Sequence, residues 1–207
     1  EKLNLQRSTA EDFIKSLRPT SNGKVLELRD YQVDAVHSAI RKHRGLFLSP
    51  TASGKSLIIY ALVRYYDILL GEQKVLILVP TTSLVEQMYS DFIDYGWEDK
   101  HIHKVYAGMD KGSTKPVIIS TWQSLYKLHR KYFEQYGCII GDEAHLFKAK
   151  SLTDIMVRSG DCKFRFGLTG TLDGTQTHRL VLEGLFGQVK KIISTKELID
   201  RGTLAKL

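Results

Sequence analysis

The chain has 207 residues, of which 43% are hydrophobic, and its formal net charge is +7 at pH 7. This length supplies one sizeable core and a small appendage, and it excludes two full domains. No run of 18 apolar residues occurs, so we expect no transmembrane helix. The first residues lack the apolar stretch of a signal peptide and an initiator Met, which indicates a piece of a longer protein.

The positive charge is concentrated in the last third of the chain. After His145 there are 11 Lys and Arg residues against 6 Asp and Glu residues. A basic balance of this size permits attraction to a phosphate polymer but does not establish it, because many soluble domains are basic.

The two cysteines, Cys138 and Cys162, have no cysteine or histidine at ligand spacing, so we expect buried thiols and no zinc. This cysteine usage favours a reducing, cytoplasmic setting.

The first 27 residues differ in pattern from the rest. They contain a short helix ending near Leu17, then Pro19 and the turn Ser21-Asn22-Gly23, and a possible strand at 24–28 follows. We interpret residues 1–27 as the tail of a small preceding domain or as an extension.

From residue 28 onward, short apolar runs alternate with longer amphipathic segments. Several runs are apolar at successive positions, which is typical of strands covered on both faces of a parallel sheet. The alternation predicts an α/β fold with a doubly wound, mostly parallel sheet, and Asp30 is the predicted N-cap of its first helix. The predicted strands are 46–48, 75–79, 102–106, 117–120, 138–141, 164–168 and 189–193, and the predicted helices are 30–43, 55–70, 83–95, 122–132, 152–159 and 177–185.

A phosphate-binding loop is predicted between the strand at 46–48 and the helix at 55–70. Backbone N–H groups at the start of a helix point at an anion, and the helix dipole favours negative charge there. Lys55 would reach the β- and γ-phosphates of ATP, and Ser56 would offer a hydroxyl to Mg²⁺. Ser49 stands where the general pattern has its first glycine, which predicts a less tight loop. The segment reads Ser49-Pro50-Thr51-Ala52-Ser53-Gly54-Lys55-Ser56.

An acidic pair follows the apolar run at 136–141. Asp142 would hold Mg²⁺, and Glu143 would position or deprotonate the attacking water. Because the two residues are adjacent, their side chains point in different directions and can take different roles. ATP and Mg²⁺ are therefore the predicted ligands, and the predicted catalytic residues are Lys55, Asp142 and Glu143.

The ordered set of motifs over residues 28–207 resembles the superfamily 2 helicases with a DEAH-type acidic motif. Gly54-Lys55-Ser56 and Asp142-Glu143-Ala144-His145 carry the resemblance, although Ala52 replaces a glycine that the family usually has. Within the superfamily, the set is most similar to the recombination helicases of T4-like phages. Four further strings fall in the family's order, at Arg29-Asp30-Tyr31-Gln32, 79–87, 119–125 and 167–172.

The resemblance implies roles for particular residues. Arg29 and Gln32 would bind the adenine side of ATP, and Thr51, Ala52, Ser53, Gly54, Lys55 and Ser56 would bind its phosphates. His145 would contact Thr169 or Thr171 and so couple hydrolysis to nucleic-acid movement. The implied contacts to the nucleic-acid backbone are Thr81, Ser83, Ser120, Thr121 and Gln123.

The resemblance also implies the first RecA-like domain of an ATP-dependent DNA helicase or translocase. A second RecA-like domain, absent from this chain, would supply arginine fingers, so we expect the chain alone to hydrolyse ATP poorly. The implied partner is branched or duplex DNA, and the implied role is the remodelling of intermediates in recombination, replication and repair.

Other interpretations remain open. The residues alone do not choose DNA over RNA, so a helicase acting on RNA or on RNA–DNA hybrids is one alternative. An ATP-regulated nucleic-acid-binding module without motor activity is another. A P-loop kinase or GTPase is disfavoured, because it gives no reason for the strings at 142–145 and 167–172.

Overall fold

The computed structural model describes residues 7–172 and 176–203. Residues 1–6 of the predicted N-terminal extension and residues 204–207 of the predicted RecA-like domain therefore lie outside the described residues. Nine strands are found in the described part, and each of the seven runs predicted as strands of the main sheet is among them. They are β1 (Thr20–Ser21), β2 (Lys24–Val25), β3 (Arg44–Leu48), β4 (Lys74–Val79), β5 (Ile102–Val105), β6 (Val117–Thr121), β7 (Tyr136–Asp142), β8 (Phe164–Thr169) and β9 (Val189–Lys191).

The strands alternate with helices, and two short 3₁₀ turns occur at Asp99–His101 and Ala144–Leu146. No helix within 7–172 and 176–203 is long and apolar enough to cross a bilayer. The described helices are α1 (Arg7–Leu17), α2 (Asp30–Lys42), α3 (Lys55–Leu70), α4 (Thr82–Asp94), α5 (Trp122–Leu125), α6 (Arg130–Phe133), α7 (Ala149–Arg158), α8 (Gln176–Phe186) and α9 (Thr195–Asp200).

Seven strands form one sheet in the order β5-β6-β4-β7-β8-β3-β9, and every neighbouring pair is parallel. The predicted α/β fold with a parallel sheet is therefore confirmed. Because all seven strands run in the same direction, their carboxyl ends lie along one rim of the sheet. The order places β7, β8 and β3 side by side on that rim, and it places β4 and β6 next to them.

Hydrophobic cores cover both faces of the sheet. Along β4, Val75 and Ile77 pack into the core beneath α2, α3 and α4, whereas Leu76 and Leu78 pack into the core beneath α5, α7 and α8. Successive side chains of a strand point to opposite faces, so a strand buried on both sides must be apolar at every position. This explains the unbroken apolar runs of the sequence.

The N-terminal residues pack onto this domain. The antiparallel hairpin β1–β2 docks at the end of α4, where Thr20 Oγ1 donates to the Asp94 carbonyl over 2.6 Å and Asn22 N–H donates to Asp94 Oδ1 over 2.9 Å. In α1, the Phe13 ring meets Tyr65 of α3 edge to face at 5.6 Å. That residues 1–27 are the tail of a preceding domain stays a prediction.

Two local predictions were wrong. The helix predicted at 122–132 is broken into α5 and α6, because His129 has extended backbone and its ring accepts a bond from Lys131 N–H to start the second helix. Asp30 is the first residue of α2 rather than its N-cap. Arg29 is the N-cap, its N–H donates to Gln32 Oε1 over 2.8 Å, and Asp30 pairs with Arg201 instead.

Helix α9 was missed by the sequence analysis, although its start carries a recognisable pattern. Ser194 and Glu197 form a capping box in which each side chain accepts from the other residue's backbone N–H, over 3.0 and 2.8 Å. A Ser followed three residues later by a Glu is the usual mark of such a box.

The two cysteines are both buried and unpaired, as predicted. Burial raises the pKa of the Cys162 thiol to about 11 and raises the pKa of the Cys138 thiol as well. Both thiols therefore stay protonated at neutral pH and act as small apolar groups.

Arg165 in β8 is buried and hydrogen bonds to carbonyl groups at the end of α7 and just after it. It is 7% exposed, and its guanidinium donates to the carbonyls of Cys162, Met156 and Ser159 over 3.0, 3.2 and 2.7 Å.

We expect Arg165→Leu to lower the free energy of unfolding by about 3 kcal/mol, because three buried acceptors lose their donor. Urea unfolding measures the change. Lys163→Leu, at an exposed position in the same segment, is the control, and equal effects of the two variants would contradict the expectation.

Candidate functional site

A cavity of about 480 Å³ opens at the carboxyl rim of β3, β7 and β8. The loop after β3 forms one wall, the residues after β7 form another, and α4 closes a third side. The predicted phosphate loop and the predicted acidic pair therefore share one cavity. Its lining includes Thr51, Ala52, Lys55, Ser56, Asp91, Asp142, Glu143, His145 and Thr171.

The phosphate loop is tied to its neighbours and turns through two left-handed residues. Ser49 N–H donates to the Thr169 carbonyl over 2.8 Å, and the hydroxyls of Ser49 and Ser53 hydrogen bond to each other. Ala52 has a φ of 68° and Gly54 a φ of 75°. The family's usual glycine at position 52 thus matches a backbone conformation that glycine adopts without strain.

Gln32 and Arg29 hydrogen bond to backbone carbonyl groups of this loop. The Gln32 amide donates to the carbonyls of Ser53 and Gly54, each over 3.2 Å, and Arg29 Nη1 donates to the Ala52 carbonyl over 3.2 Å. A Cβ atom at Gly54 would lie 2.1 Å from Gln32 Nε2, so this close approach requires glycine. Gln32 is 3% exposed. That Gln32 contacts adenine stays a prediction. In the structure, its side chain holds the backbone of the loop.

Lys55 lies between the two carboxylates of the acidic pair. Its ammonium is 2.9 Å from Asp142 Oδ1 and also contacts Glu143 Oε1. Asp142 is 4% exposed, and this burial raises the pKa of its carboxyl group while the Lys55 charge lowers it. Glu143 has a left-handed backbone, with φ of 53°. The two carboxylates thus contact one cation.

His145 contacts Thr169 at the end of β8. Thr169 Oγ1 donates to the Thr171 carbonyl over 2.7 Å and also bonds to His145 Nδ1. A hydroxyl has a single proton to donate, so His145 Nδ1 is the donor in the second bond. The same ring nitrogen lies 3.5 Å from Glu143 Oε2. A chain of contacts therefore joins the acidic pair to the loop after β8, and the coupling role assigned to it stays a prediction.

The oxygen atoms of Ser56 and Asp142 have the chemistry that Mg²⁺ prefers. Magnesium binds hard oxygen donors and usually keeps waters and substrate phosphates as its remaining ligands. Within residues 7–172 and 176–203, no group of three or more His, Cys, Asp or Glu side chains could hold a metal. Two oxygen donors in one cavity fit an ion whose remaining ligands are waters and phosphate oxygens.

Sequence analysis missed two side chains of the α4 segment near Ser56. Tyr95 Oη lies 2.6 Å from Ser56 Oγ, and Asp91 lines the cavity, where its carboxylate accepts from Gln87 Nε2 over 2.9 Å. Asp91 is half-buried, and burial raises the pKa of its carboxyl group although the bond from Gln87 lowers it. No motif marks these positions, because only the packing of α4 beside α3 brings them to the cavity.

The predicted nucleic-acid residues lie mainly around a second depression, of about 430 Å³, at the ends of β4 and β6. Thr81, Thr121 and Gln123 line it, and Gln123 Nε2 donates to the Pro80 carbonyl over 3.0 Å. Ser83 is exposed beside Thr81, with its hydroxyl 3.1 Å away.

Ser120 lies apart from this group. It has no exposed surface, and its hydroxyl donates to the Thr121 carbonyl over 2.9 Å, so its side chain cannot reach a ligand in the depression. The depression is also lined by Tyr106 and Lys111, which sequence reasoning did not single out because they follow β5 outside any motif.

A phosphate loop after β3 and an acidic pair at the end of β7, with β8 between them in a parallel sheet, define a P-loop NTPase with a RecA-like fold. Residues 25–174 match the family model described as "Type III restriction enzyme, res subunit". The chain belongs to this family, and it is a superfamily 2 helicase domain.

The chain is similar to the ATP-dependent DNA helicase UvsW of Enterobacteria phage T4, at 35% identity over 212 residues. The alignment covers 100% of this chain and 42% of that helicase, so the chain spans less than half of its relative. A crystal structure of T4 UvsW superimposes with a TM-score of 0.84 at 37% identity, covering 95% of this chain and 41% of that one. The predicted resemblance is therefore confirmed.

The chain also matches a more distant relative and a more distant structure. The DNA 3'-5' translocase XPB2 of Sulfurisphaera tokodaii is 29% identical over 199 residues, which is 92% of this chain and 41% of the translocase. The Sulfolobus solfataricus SWI2/SNF2 ATPase core in complex with dsDNA shares the fold, with a TM-score of 0.62 at 17% identity and coverage of 78% of this chain and 36% of that one.

We expect Ala52→Gly to stabilise the protein. Alanine in the left-handed region is strained by about 1 kcal/mol, and glycine is not, although glycine also gains freedom in the unfolded chain. The net gain is therefore at most about 1 kcal/mol, which would raise the melting temperature by up to about 2–4 °C. Thermal denaturation measures it. Ala149→Gly at the start of α7, where the backbone is helical, is the control and should lower the melting temperature; a lower value for Ala52→Gly would contradict the expectation.

We expect Asp142→Asn to stabilise the fold more at pH 7 than at pH 4. The pKa of Asp142 is raised in the folded state, so folding takes up a proton in the window between its ordinary and raised values. Stability of the parent chain therefore falls as pH rises through that window, and the uncharged amide of the variant removes this loss. Urea unfolding at both pH values measures the difference. A difference that is independent of pH, or larger at pH 4, would contradict this assignment.

Proposed function

We propose that residues 28–207 are the first of two RecA-like domains of an ATP-dependent DNA helicase or translocase. Its activity would remodel branched or duplex DNA in recombination, replication and repair. The observation that carries the proposal is the contact of Lys55 with both Asp142 and Glu143 inside one cavity of the parallel sheet. The similarity to the ATP-dependent DNA helicase UvsW of phage T4 supports the proposal of an ATP-dependent activity on DNA.

ATP would bind with its phosphates against the loop at 49–56. The first N–H groups of α3 have no partner within the helix and are available to an anion, and Lys55 adds a positive charge. The phosphates would compete with Glu143 for Lys55, which frees Glu143 to orient the attacking water. Bound Mg²⁺ would neutralise charge on the phosphates between Ser56 and Asp142.

His145 would respond to a change at Glu143. Glu143 Oε2 and Thr169 Oγ1 both approach His145 Nδ1, so movement of Glu143 alters a bond at the start of the loop after β8. Thr169 passes the contact to the backbone of Thr171. We infer that His145, Thr169 and Thr171 couple the state of the nucleotide to the nucleic-acid side.

Nucleic acid would bind at the depression beside β4 and β6. Thr81, Ser83, Thr121 and Gln123 offer short polar groups at strand ends, which suit contacts to a phosphate backbone. Ser120 would act only by positioning the backbone of Thr121. Backbone contacts of this kind give little base specificity and a strong dependence of affinity on salt.

The proposal requires a second RecA-like domain to complete the ATP site with arginine fingers. The small share of the T4 helicase that this chain covers is consistent with such a partner domain. Residues 1–27 would then belong to the tail of a preceding small domain. Their hairpin on α4 would hold that domain against the ATP-binding half.

The chain should bind a fluorescent ATP analogue with Mg²⁺ and hydrolyse ATP slowly. Lys55→Ala should weaken this binding by at least about tenfold, because one charge and its phosphate bonds are lost. Fluorescence titration measures the affinity, and thermal denaturation checks that the variant is folded. The control is Lys100→Ala, since Lys100 is exposed and pairs only with Glu98 in the described part of the chain. Equal affinity for Lys55→Ala and the parent chain would remove the ATP assignment.

Nucleic-acid binding separates the alternatives. We expect the ATP analogue to change DNA affinity, because a motor couples its two ligands reciprocally. Binding of DNA that ignores the nucleotide would favour a module without motor activity, and tighter binding of RNA or RNA–DNA hybrid would favour the RNA alternatives. Fast DNA-stimulated hydrolysis by this chain alone would contradict the need for a second domain.

A further inference from the structure

A second depression, of about 390 Å³, adjoins the proposed nucleic-acid depression. It lies between α5 with the residues just after it and the first turn of α7, and we call it the α5–α7 groove. Gln123 lines both depressions, so the two meet at this residue. The groove is lined by Trp122, Gln123, Tyr126, Lys127, Lys148 and Ser151.

The lining of the α5–α7 groove is positively charged. Lys127 and Lys148 are both exposed, and none of the six lining residues is acidic. Neither ammonium group has a carboxylate partner within residues 7–172 and 176–203, whereas Lys55, Lys104 and Lys115 are each paired with an acid. Two unpaired cations on one concave surface attract an anion, because their charges are not neutralised by the protein itself.

The break between α5 and α6 brings Lys127 to one wall of the groove. Helix α5 ends at Leu125 and α6 begins at Arg130, so Lys127 lies in the connecting segment. Its ammonium is 5.4 Å from the centre of the Tyr126 ring, and this cation–π contact holds the charge beside the groove.

The start of α7 forms the other wall. Lys148 is the N-cap of this helix and its side chain makes no capping bond, so the first N–H groups of α7 add partial positive charge next to the ammonium. Trp122, also in the lining, is 7% exposed, and its indole N–H has no hydrogen-bond partner in the described part of the chain. Buried donors normally have a partner, and the oxygen atoms of an anion are acceptors of the kind that this site lacks.

We propose that the α5–α7 groove binds the sugar–phosphate backbone of the DNA that occupies the neighbouring depression, with Lys127 and Lys148 each contacting a phosphate. This inference rests on the proposed function and extends its nucleic-acid side. Because Gln123 lines both depressions, the backbone of one DNA molecule passes from the first into the second without leaving the surface. Contacts to phosphates position DNA without reading its sequence, so the groove adds affinity equally for all sequences.

The test measures how the DNA affinity of the chain depends on salt. Fluorescence anisotropy with two labelled duplexes of unrelated sequence gives the association constant at several NaCl concentrations. The slope of its logarithm against the logarithm of the salt concentration reports the number of phosphates that the protein neutralises. We expect Lys127→Gln and Lys148→Gln each to reduce the magnitude of this slope by about 1, and the double variant to reduce it by about 2, for both duplexes.

The matched control is the double variant Lys24→Gln and Lys100→Gln, which removes the same charge at two exposed positions. Lys24 lies in the hairpin at the end of α4, and Lys100 lies just before the first residue of β5, so both are away from the carboxyl rim of the sheet. This variant should leave the slope unchanged.

Other outcomes have distinct meanings. An unchanged slope in the Lys127 and Lys148 double variant would overturn the inference and leave the proposed function standing, because the neighbouring depression would still account for DNA binding. An equal reduction in the control would also overturn it, since the effect would then belong to net charge. A reduction confined to one duplex, or seen with RNA and not with DNA, would contradict contact to the DNA backbone. Absence of DNA binding by the parent chain at low salt would overturn the nucleic-acid side of the proposed function, and the inference would fall with it. Melting temperatures of all variants establish that each affinity belongs to folded protein.

Discussion

The buried ion pair between Lys55 and Asp142 joins the helix after β3 to the end of β7, two strands away in the sheet. It forms only because parallel strands bring their carboxyl ends to one rim. Lys55 also holds Glu143, so both acids are fixed relative to the phosphate loop. A site that moves phosphoryl groups needs this preorganisation, since positioning and charge stabilisation supply most of the catalysis.

The order of strands divides the carboxyl rim of the sheet into two halves. The neighbours β7, β8 and β3 carry the ATP-side residues, and the neighbours β4 and β6 carry the polar residues proposed to meet nucleic acid. Strand β8 lies between the two ATP-side strands, which explains why its last residue, Thr169, reaches both His145 and the backbone of Ser49. Helix α4 joins the two halves, because its N-cap Thr81 lines the depression and its Asp91 lines the cavity.

Several features of the ATP half are unfavourable for stability. Asp142 is a charge with almost no exposed surface, and Ala52 and Glu143 adopt left-handed backbone conformations that non-glycine residues avoid. Elsewhere in the described chain, Arg18, Asn22 and His43 also have positive φ, but each lies in a turn or at a helix end. Concentration of strain and buried charge around one cavity is typical of a functional site, where geometry is maintained against the preferences of isolated residues.

The sequence by itself determined the strands, most helices, the phosphate loop and the acidic pair. These follow from local rules, because continuous apolar runs mark strands buried on both faces and a Gly-Lys-Ser string after such a run marks a phosphate loop. Only the tertiary structure decided which strands are neighbours, that Ser120 is buried, that Gln32 holds the loop, that Tyr95 contacts Ser56 and that Asp91 lines the cavity. Such contacts join residues far apart in the chain, and no local periodicity encodes the packing of one helix against another.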